Sequence, residues 1–149
     1  MERIAVFPGS FDPFTIGHKA IVDKALPLFD KIIIAIGVNS EKNGFFTPEK
    51  RLNYISDIYK DNPRIEVKTY SSLTVEFCKE NNAKFIVRGL RNTTDFQYEK
   101  TIAQMNRQMS GIETIFFFFS PEYGHISSSV VRELLTYKAA VSEIVPNAL

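Results

Sequence analysis

The chain has 149 residues, of which 44% are hydrophobic and 23% are charged, and its formal net charge is +1. A chain of this length and composition can bury a substantial core, and nothing in it indicates a disordered, fibrous or membrane-embedded protein. The near-neutral charge argues against a protein that coats nucleic acid or an anionic membrane, so any anion-binding site should be local.

In chain order, the sequence alternates between short apolar runs and longer segments of helical periodicity. The runs predict strands at residues 4–7, 32–38, 65–69, 85–87 and 114–119. The segments between them predict helices at residues 17–29, 48–60, 73–81, 94–109 and 128–137, with a further turn near 141–145. Thr47, Pro48 and Glu49 mark the second helix start, because a capping hydroxyl, a proline at the first helical position and an early acid all favour one.

The strand runs are continuously apolar, which is typical of strands covered on both faces of a parallel sheet. No repeat, linker or change of composition divides the chain, so we expect one domain over residues 1–149. Right-handed connections then predict an α/β fold, a Rossmann-like doubly wound parallel sheet of five strands in the order 3-2-1-4-5. Ligands of such sheets bind beyond the carboxyl ends of the strands where the winding reverses, here after strands one and four.

Glycines and polar residues follow both of these strands. Residues 8–18 (PGSFDPFTIGH) follow strand one, and residues 88–91 (RGLR) follow strand four. Gly9 and Gly17 permit a ligand to approach the backbone, and the free amides at the next helix start would bind an anion such as phosphate. Neither GxGxxG nor the P-loop pattern is present, so ordinary dinucleotide binding and the usual NTPase cradle are not indicated. A tight turn with a capping histidine is the alternative interpretation.

Two motifs point to the kind of site. Residues 15–18 (TIGH) match the signature (T/H)xGH, and residues 126–132 (ISSSVVR) match ISSSxxR, each after a predicted strand. With both motifs in this order, the chain resembles the nucleotidyltransferase superfamily. Within that superfamily, residues 8–13 (PGSFDP), 88–99 (RGLRNTTDFQYE) and 103–107 (AQMNR) resemble the bacterial phosphopantetheine adenylyltransferase family.

The resemblance implies transfer of AMP from ATP to 4′-phosphopantetheine, which yields dephospho-coenzyme A and pyrophosphate in coenzyme A biosynthesis. The attacking oxygen already belongs to an ionised phosphate, so the protein chiefly has to align two polyanions and stabilise charge at the transferred phosphorus. By resemblance, His18 stabilises the transition state. Ser10, which stands where threonine is common, positions the acceptor phosphate through its retained hydroxyl.

The resemblance also implies the other site residues. The acceptor would be bound by Ser10, Lys42, Thr74 and Arg88. ATP would be bound by Ser10, Phe11, His18, Gly89, Leu90, Arg91, Glu99, Tyr123, Gly124, His125, Ile126, Ser127, Ser128 and Ser129. The last seven combine hydroxyls with a helix start, which suits the β- and γ-phosphates. Without a ligand role, His18 would be a helix cap, Lys42 a solvated loop residue, and Thr74 and Glu99 helix-surface residues.

Magnesium is expected, because the leaving pyrophosphate concentrates charge that a divalent ion offsets. We expect no metal cage of protein ligands, since Mg²⁺ is held largely by phosphates and water, and one cysteine and two histidines argue against zinc. The single cysteine, Cys78, and a start that does not resemble a signal peptide fit a cytoplasmic location. The resemblance further implies a homohexamer and feedback inhibition by coenzyme A.

Three other functions stay open on the sequence. A superfamily enzyme could use nicotinamide mononucleotide or glycerol 3-phosphate as acceptor, although residues 88–99 argue against both. The same fold could serve as a non-catalytic nucleotide-binding module. Residues 116–119 (FFFF) could form a protein-binding surface, but an interior strand is the expected structure.

Overall fold

A parallel sheet forms the centre of the fold. The structure is a computed structural model that describes residues 1–41 and 44–149. Within this range five strands pair in the order β3-β2-β1-β4-β5, which confirms the predicted topology. The strands are β1 (Ile4–Gly9), β2 (Lys31–Gly37), β3 (Ile65–Tyr70), β4 (Phe85–Leu90) and β5 (Glu113–Phe118).

Helices connect the strands. In the described range they are α1 (Ile16–Ala25), α2 (Pro48–Ile58), α3 (Thr74–Glu80), α4 (Thr93–Ser110) and α5 (Ser128–Thr136), with 3₁₀ turns at Leu26–Leu28 and Pro121–Tyr123. α1 ends before the predicted residue 29, because Pro27 has no N–H with which to continue the helix. The predicted cap of α2 is confirmed, since Thr47 Oγ1 accepts from Lys50 N at 3.1 Å. No helix in the described residues has the length and apolar character needed to cross a membrane.

Strand β2, which lies between β3 and β1, shows why both faces of the sheet are apolar. Ile32, Ile34 and Ile36 belong to the core cluster that includes residues of α1 and α2, whereas Ile33 and Ala35 belong to the cluster that includes residues of α3. Complete burial of such a side chain is worth about 1.5–3 kcal/mol. Two-sided burial therefore accounts for the continuous apolar run in the sequence.

Cys78 lies in the α3 cluster and is fully buried. Burial raises the pKa of its thiol to about 11, so the thiolate is not formed at neutral pH. Cys78 thus packs as a small buried apolar residue.

The strands β1 and β4 separate early. Their pairing comprises only Ala5↔Phe85 and Val6↔Ile86, whereas β1 remains paired with β2 as far as Gly9. Pro8 has no N–H to donate towards β4, so the ladder between β1 and β4 does not continue at this residue. A crevice opens between the two strands, at the switch point where the sequence predicts the chemistry.

β4 is longer than predicted. It runs past residue 87 to Leu90, because Arg88, Gly89 and Leu90 stay paired with Phe116, Phe117 and Phe118 of β5. The expectation that residues 88–91 follow the strand is therefore wrong for the first three. The side chain of Arg88 is placed by a strand rather than by a loop.

β5 is an edge strand and is less buried than expected. Its residues are partly or fully exposed, and Phe118 is 75% exposed. The predicted order already places this strand at the edge, but the expectation that it is an interior, buried strand is wrong, because an apolar run does not by itself report how completely a strand is covered. Beyond the strand, the ring of Phe119 packs on two glycines of the motifs. A Cβ atom at Gly89 would lie 2.5 Å from Phe119 Cε2, and one at Gly17 would lie 3.0 Å from Cε1.

We expect Gly89→Ala to lower the free energy of unfolding by about 1–3 kcal/mol, because the ring of Phe119 must move to admit the methyl group. Gly37→Ala is the matched control in a strand, since its Cβ would meet no atom closer than 3.8 Å. It should leave stability unchanged or raise it by up to about 1 kcal/mol. Urea titrations of both variants provide the measurement, and equal stabilities would show that the Phe119 contact imposes no constraint.

Candidate active site

Two adjoining cavities occupy the crevice. Cavity A, of about 280 Å³, is lined by residues of both predicted motif regions, among them Ser10, His18, Arg88, Arg91 and Ser127–Ser129. Cavity B, of about 230 Å³, is lined by Tyr70, Thr74, Ile86, Ala103, Asn106 and others. Both are lined by Pro8, Gly9, Arg88 and Glu99, so these four residues lie where the cavities adjoin.

His18 stands in the first turn of α1 and caps it together with Thr15. Thr15 Oγ1 accepts from His18 N at 3.3 Å, and Thr15 N donates to His18 Nδ1 at 2.9 Å. An amide can only donate, so Nδ1 is the unprotonated nitrogen and the ring proton lies on Nε2. The capping interpretation of His18 is confirmed, and the cap leaves Nε2–H available to cavity A.

The imidazole of His18 is held neutral. Burial lowers its pKa to about 3, and the positive charges of Arg91 and Arg88 act in the same direction. The rings of Phe11 and Phe14 pack against it with centroids 5.1 Å and 5.3 Å away. A neutral imidazole beside arginines can donate a hydrogen bond to an anion but does not carry a positive charge of its own.

The expected anion site at the start of α1 is only partly available. Ile16 N donates to Ile144 O at 3.1 Å, and His18 N is used by Thr15. Within the described chain, Gly17 alone among the first three amides has no partner. The expectation that the amides at this helix start are free to bind an anion is therefore corrected, because the carbonyl of Ile144 already accepts from one of them.

The start of α5 provides the more open anion site. Its cap is Ser127, whose Oγ accepts from Val130 N at 3.2 Å. The amides of Ser128 and Ser129 have no hydrogen-bond partner among the described residues, and both residues line cavity A. Free amides and the positive end of the helix dipole favour a phosphate at this position.

Arg88 and Glu99 form a bidentate ion pair between the cavities. Arg88 Nη2 and Nε donate to the carboxylate at 2.6 Å and 3.1 Å, and Nη1 donates to Pro8 O at 2.6 Å. Glu99 is only 8% exposed, so it is not a helix-surface residue. A guanidinium has five N–H groups, which leaves Arg88 with two that have no partner within the described residues.

The two other arginines of cavity A differ in their partners. Arg91 is paired with Asp95, with Nε 3.4 Å from Oδ2, and its guanidinium lies 5.7 Å from the Phe119 ring centroid. Arg132 donates to Asp12 O at 2.8 Å and to Ser129 Oγ at 3.0 Å but forms no ion pair within the described range. Arg132 is thus a positive charge at the cavity that has no carboxylate partner in the described part of the chain. It closes the ISSSxxR motif, but sequence reasoning assigned it no role.

The other predicted site residues are placed as follows. Ser10 is exposed and lines cavity A, and Phe11 lines it with a ring that is 3% exposed. Thr74 lines cavity B, and its hydroxyl lies 2.9 Å from Tyr70 Oη. Ile126 lines cavity A. Neither cavity is lined by Leu90, Tyr123, Gly124 or His125, and Lys42 lies outside the described residues.

Sequence reasoning missed two buried charges that support the loop of Ser10. Asp12 accepts from Phe45 N and Phe46 N at 2.7 Å and 2.8 Å. Arg51 of α2 donates to Ser10 O at 2.7 Å and to Phe46 O at 3.1 Å. No spacing signal distinguishes these residues from solvated charges, because their partners are backbone groups.

No group of three His, Cys, Asp or Glu side chains that could hold a metal ion occurs in residues 1–41 and 44–149. The carboxylates that line cavity A, Asp95 and Glu99, are both paired with arginines. A cation at this site would therefore depend on ligands other than free protein carboxylates.

Comparison with known proteins gives a consistent result. Residues 6–134 match the cytidylyltransferase-like family. A phosphopantetheine adenylyltransferase of Bacteroides thetaiotaomicron is 52% identical over 147 residues, which cover 99% of this chain and 97% of the relative. One of Christiangramia forsetii is 51% identical over 145 residues, covering 97% and 96%.

Among solved structures, a bifunctional NMN adenylyltransferase/ADP ribose pyrophosphatase from Francisella tularensis has a similar fold. The TM-score is 0.71 at 18% identity, and the match covers 95% of this chain and 44% of that chain. At this identity the similarity concerns the fold alone.

We expect stability to fall as the pH drops from about 6.5 towards about 3, because the unfolded imidazole binds a proton in that window and folded His18, with a pKa of about 3, does not. This group contributes a slope of at most about 1.4 kcal/mol per pH unit. His18→Gln keeps a capping-box side chain and should flatten the slope in chemical denaturation. His125→Gln removes an exposed imidazole away from α1, and the slope should persist. An unchanged slope in His18→Gln would contradict a neutral His18.

Proposed function

The chain belongs to the cytidylyltransferase-like family, and on this premise we propose that it is a phosphopantetheine adenylyltransferase. It transfers the AMP unit of ATP to 4′-phosphopantetheine, releases pyrophosphate and forms dephospho-coenzyme A, a step of coenzyme A biosynthesis. Relatives of that name match nearly the whole chain at about half of all positions.

The observation that carries the proposal is the junction of two unlike cavities at Arg88. Cavity A has arginines, hydroxyls and the free amides of α5, which suits a triphosphate. Cavity B adds apolar side chains such as Ile86 and Ile102 to a few polar groups such as Asn106, which suits a long arm with amides. The acceptor phosphate would then lie at Arg88, beside the α-phosphate of ATP.

Alignment of the two substrates is the main task of the protein. The acceptor phosphate oxygen attacks the α-phosphorus, and the bond to the pyrophosphate oxygen breaks, so no enzyme nucleophile is needed. The two N–H groups of Arg88 without described partners and the hydroxyl of Ser10 would hold the acceptor phosphate. By resemblance Lys42 joins them, and Thr74, whose hydroxyl is 2.9 Å from Tyr70 Oη, contacts the arm.

His18 would donate from Nε2 to a non-bridging oxygen of the α-phosphate. Negative charge is redistributed at phosphorus in the transition state, so a preorganised donor there lowers the barrier. Before substrate binds, the low pKa keeps the imidazole neutral at neutral pH, so His18 donates from Nε2 without carrying a positive charge. Ser127 to Ser129 and Arg132 would bind the leaving phosphates, and Gly89 and Arg91 would line the nucleotide side.

We propose magnesium as the cofactor. The donor set fits an ion held by phosphate oxygens and water, because both carboxylates of cavity A are already paired with arginines. When bound, the ion would offset charge on the leaving pyrophosphate. The protein residues would bind and orient the phosphates around it.

A homohexamer and feedback inhibition by coenzyme A are further parts of the proposal. Apolar residues on α4 are exposed and could be covered by another copy, including Tyr98 at 69%, Met105 at 53% and Met109 at 52%. Coenzyme A combines a pantetheine arm with an adenine nucleotide, so it matches both cavities chemically.

A cytoplasmic location is supported by the single cysteine.

With ATP and magnesium, the purified protein should release pyrophosphate with 4′-phosphopantetheine and not appreciably with nicotinamide mononucleotide or glycerol 3-phosphate. The junction at Arg88 provides for a terminal phosphate, and cavity B provides for an arm that the other acceptors lack. Mass spectrometry should identify dephospho-coenzyme A, and CTP in place of ATP should suppress it. Preferred turnover of another acceptor would overturn the substrate assignment, and inactivity with all of them would favour a binding module.

His18→Gln should lower turnover about 10²- to 10³-fold with ATP affinity nearly unchanged, because the lost contact matters most in the transition state. His18→Ala should lose the same activity and in addition about 1 kcal/mol of stability, since it also removes the cap. Steady-state rates, calorimetric binding of ATP and denaturant titration separate these effects. Near-native turnover of His18→Gln would remove His18 from the mechanism.

A further inference from the structure

A segment far from the motifs in sequence packs beside the first turn of α1. This strap, residues 141–149, begins with a turn in which Ile144 N donates to Val141 O at 2.9 Å. Val145 is only 5% exposed, so the strap is anchored in the protein by an apolar side chain.

The strap makes a direct backbone contact with the helix of His18. Ile144 O accepts from Ile16 N at 3.1 Å, and Ile16 is the first residue of α1. The preceding residue, Thr15, is 1% exposed and holds His18 through both bonds of the cap. A half-buried amide at a helix start needs a partner, and the strap supplies it next to the residue that orients the imidazole.

The strap is also tied to α2. Tyr54 Oη donates to Asn147 O at 2.9 Å and accepts from Asn147 N at 3.2 Å. One turn earlier on the same helix, Arg51 holds the carbonyl of Ser10. The strap therefore connects the helix that carries His18 with the helix that supports the loop of Ser10.

We infer that the strap sets the position of His18 relative to the reacting phosphates, with Tyr54 as a positioning residue that acts through Asn147 and the Ile144 carbonyl. The inference rests on the proposed function. Tyr54 lines neither cavity A nor cavity B, so it does not touch the substrates. A displacement of about 1 Å of an aligned group can lower a rate by about 10²-fold, so loss of the anchor has a measurable effect on turnover.

Tyr54→Phe deletes both hydrogen bonds to the strap and should lower kcat about ten-fold, with KM for ATP changed less than about three-fold. Ile16→Pro deletes the N–H that meets Ile144 O and should have the same effect. Proline is suited to the first helical position, and Thr15 already has the extended backbone that a following proline requires, with φ −109° and ψ 172°. Tyr59→Phe is the matched control, because Tyr59 Oη, at the end of α2, has no hydrogen-bond partner in the described part of the chain.

The decisive measurement repeats Tyr54→Phe in the His18→Gln background. If the strap acts through His18, the ten-fold loss should shrink to less than about two-fold there, whereas general destabilisation would lower the rate equally in both backgrounds. An equal loss, or a Tyr54→Phe enzyme as active as Tyr59→Phe, overturns the inference.

A second readout does not need activity. Amide exchange at Ile16, followed by NMR, should accelerate in Tyr54→Phe and not in Tyr59→Phe. An inactive wild-type protein would overturn the proposed function. Unchanged exchange at Ile16 would overturn the role of the strap separately.

Discussion

The early end of pairing between β1 and β4 is the constraint on which the site depends. After Val6 and Ile86 the two strands diverge, and Pro8 offers no N–H that could hold them together. The carbonyl of Pro8 is satisfied instead by Arg88, whose guanidinium fills the gap and separates cavity A from cavity B. The early end of this pairing thus creates the crevice and places the guanidinium of Arg88 in it.

Charge in the crevice is compensated unevenly. Arg88 and Arg91 are paired with carboxylates, whereas Arg132 is not paired within the described residues. An ion pair such as Arg88–Glu99 is costly to desolvate and adds little to stability by itself, but it fixes the direction of the guanidinium. A chain with a net charge of only +1 can in this way present a local site for polyanions.

The structural and the functional interpretations of His18 describe the same contact. The bond from Thr15 N to Nδ1 completes the helix cap, and it also fixes the proton on Nε2, where a donor can face the cavity. Burial and two nearby arginines then keep the ring neutral. The cap is consequently part of the chemistry rather than an alternative to it.

Local pattern in the sequence was enough to predict the strands, the helix cap at Thr47 and the two motifs, because hydrophobic periodicity and capping depend on neighbouring residues. The strand order then followed from the right-handed connections between parallel strands. Local pattern did not determine that β4 extends to Leu90, that Phe118 is exposed, or that Glu99 is buried against Arg88. Nothing in the sequence indicated that Asp12 and Arg51 support the loop of Ser10 or that Ile144 contacts the start of α1. Each of these contacts is a bond between a residue and the backbone of a distant segment. Such contacts cannot be read from residue identity, since every residue supplies a carbonyl and every residue except proline supplies an N–H.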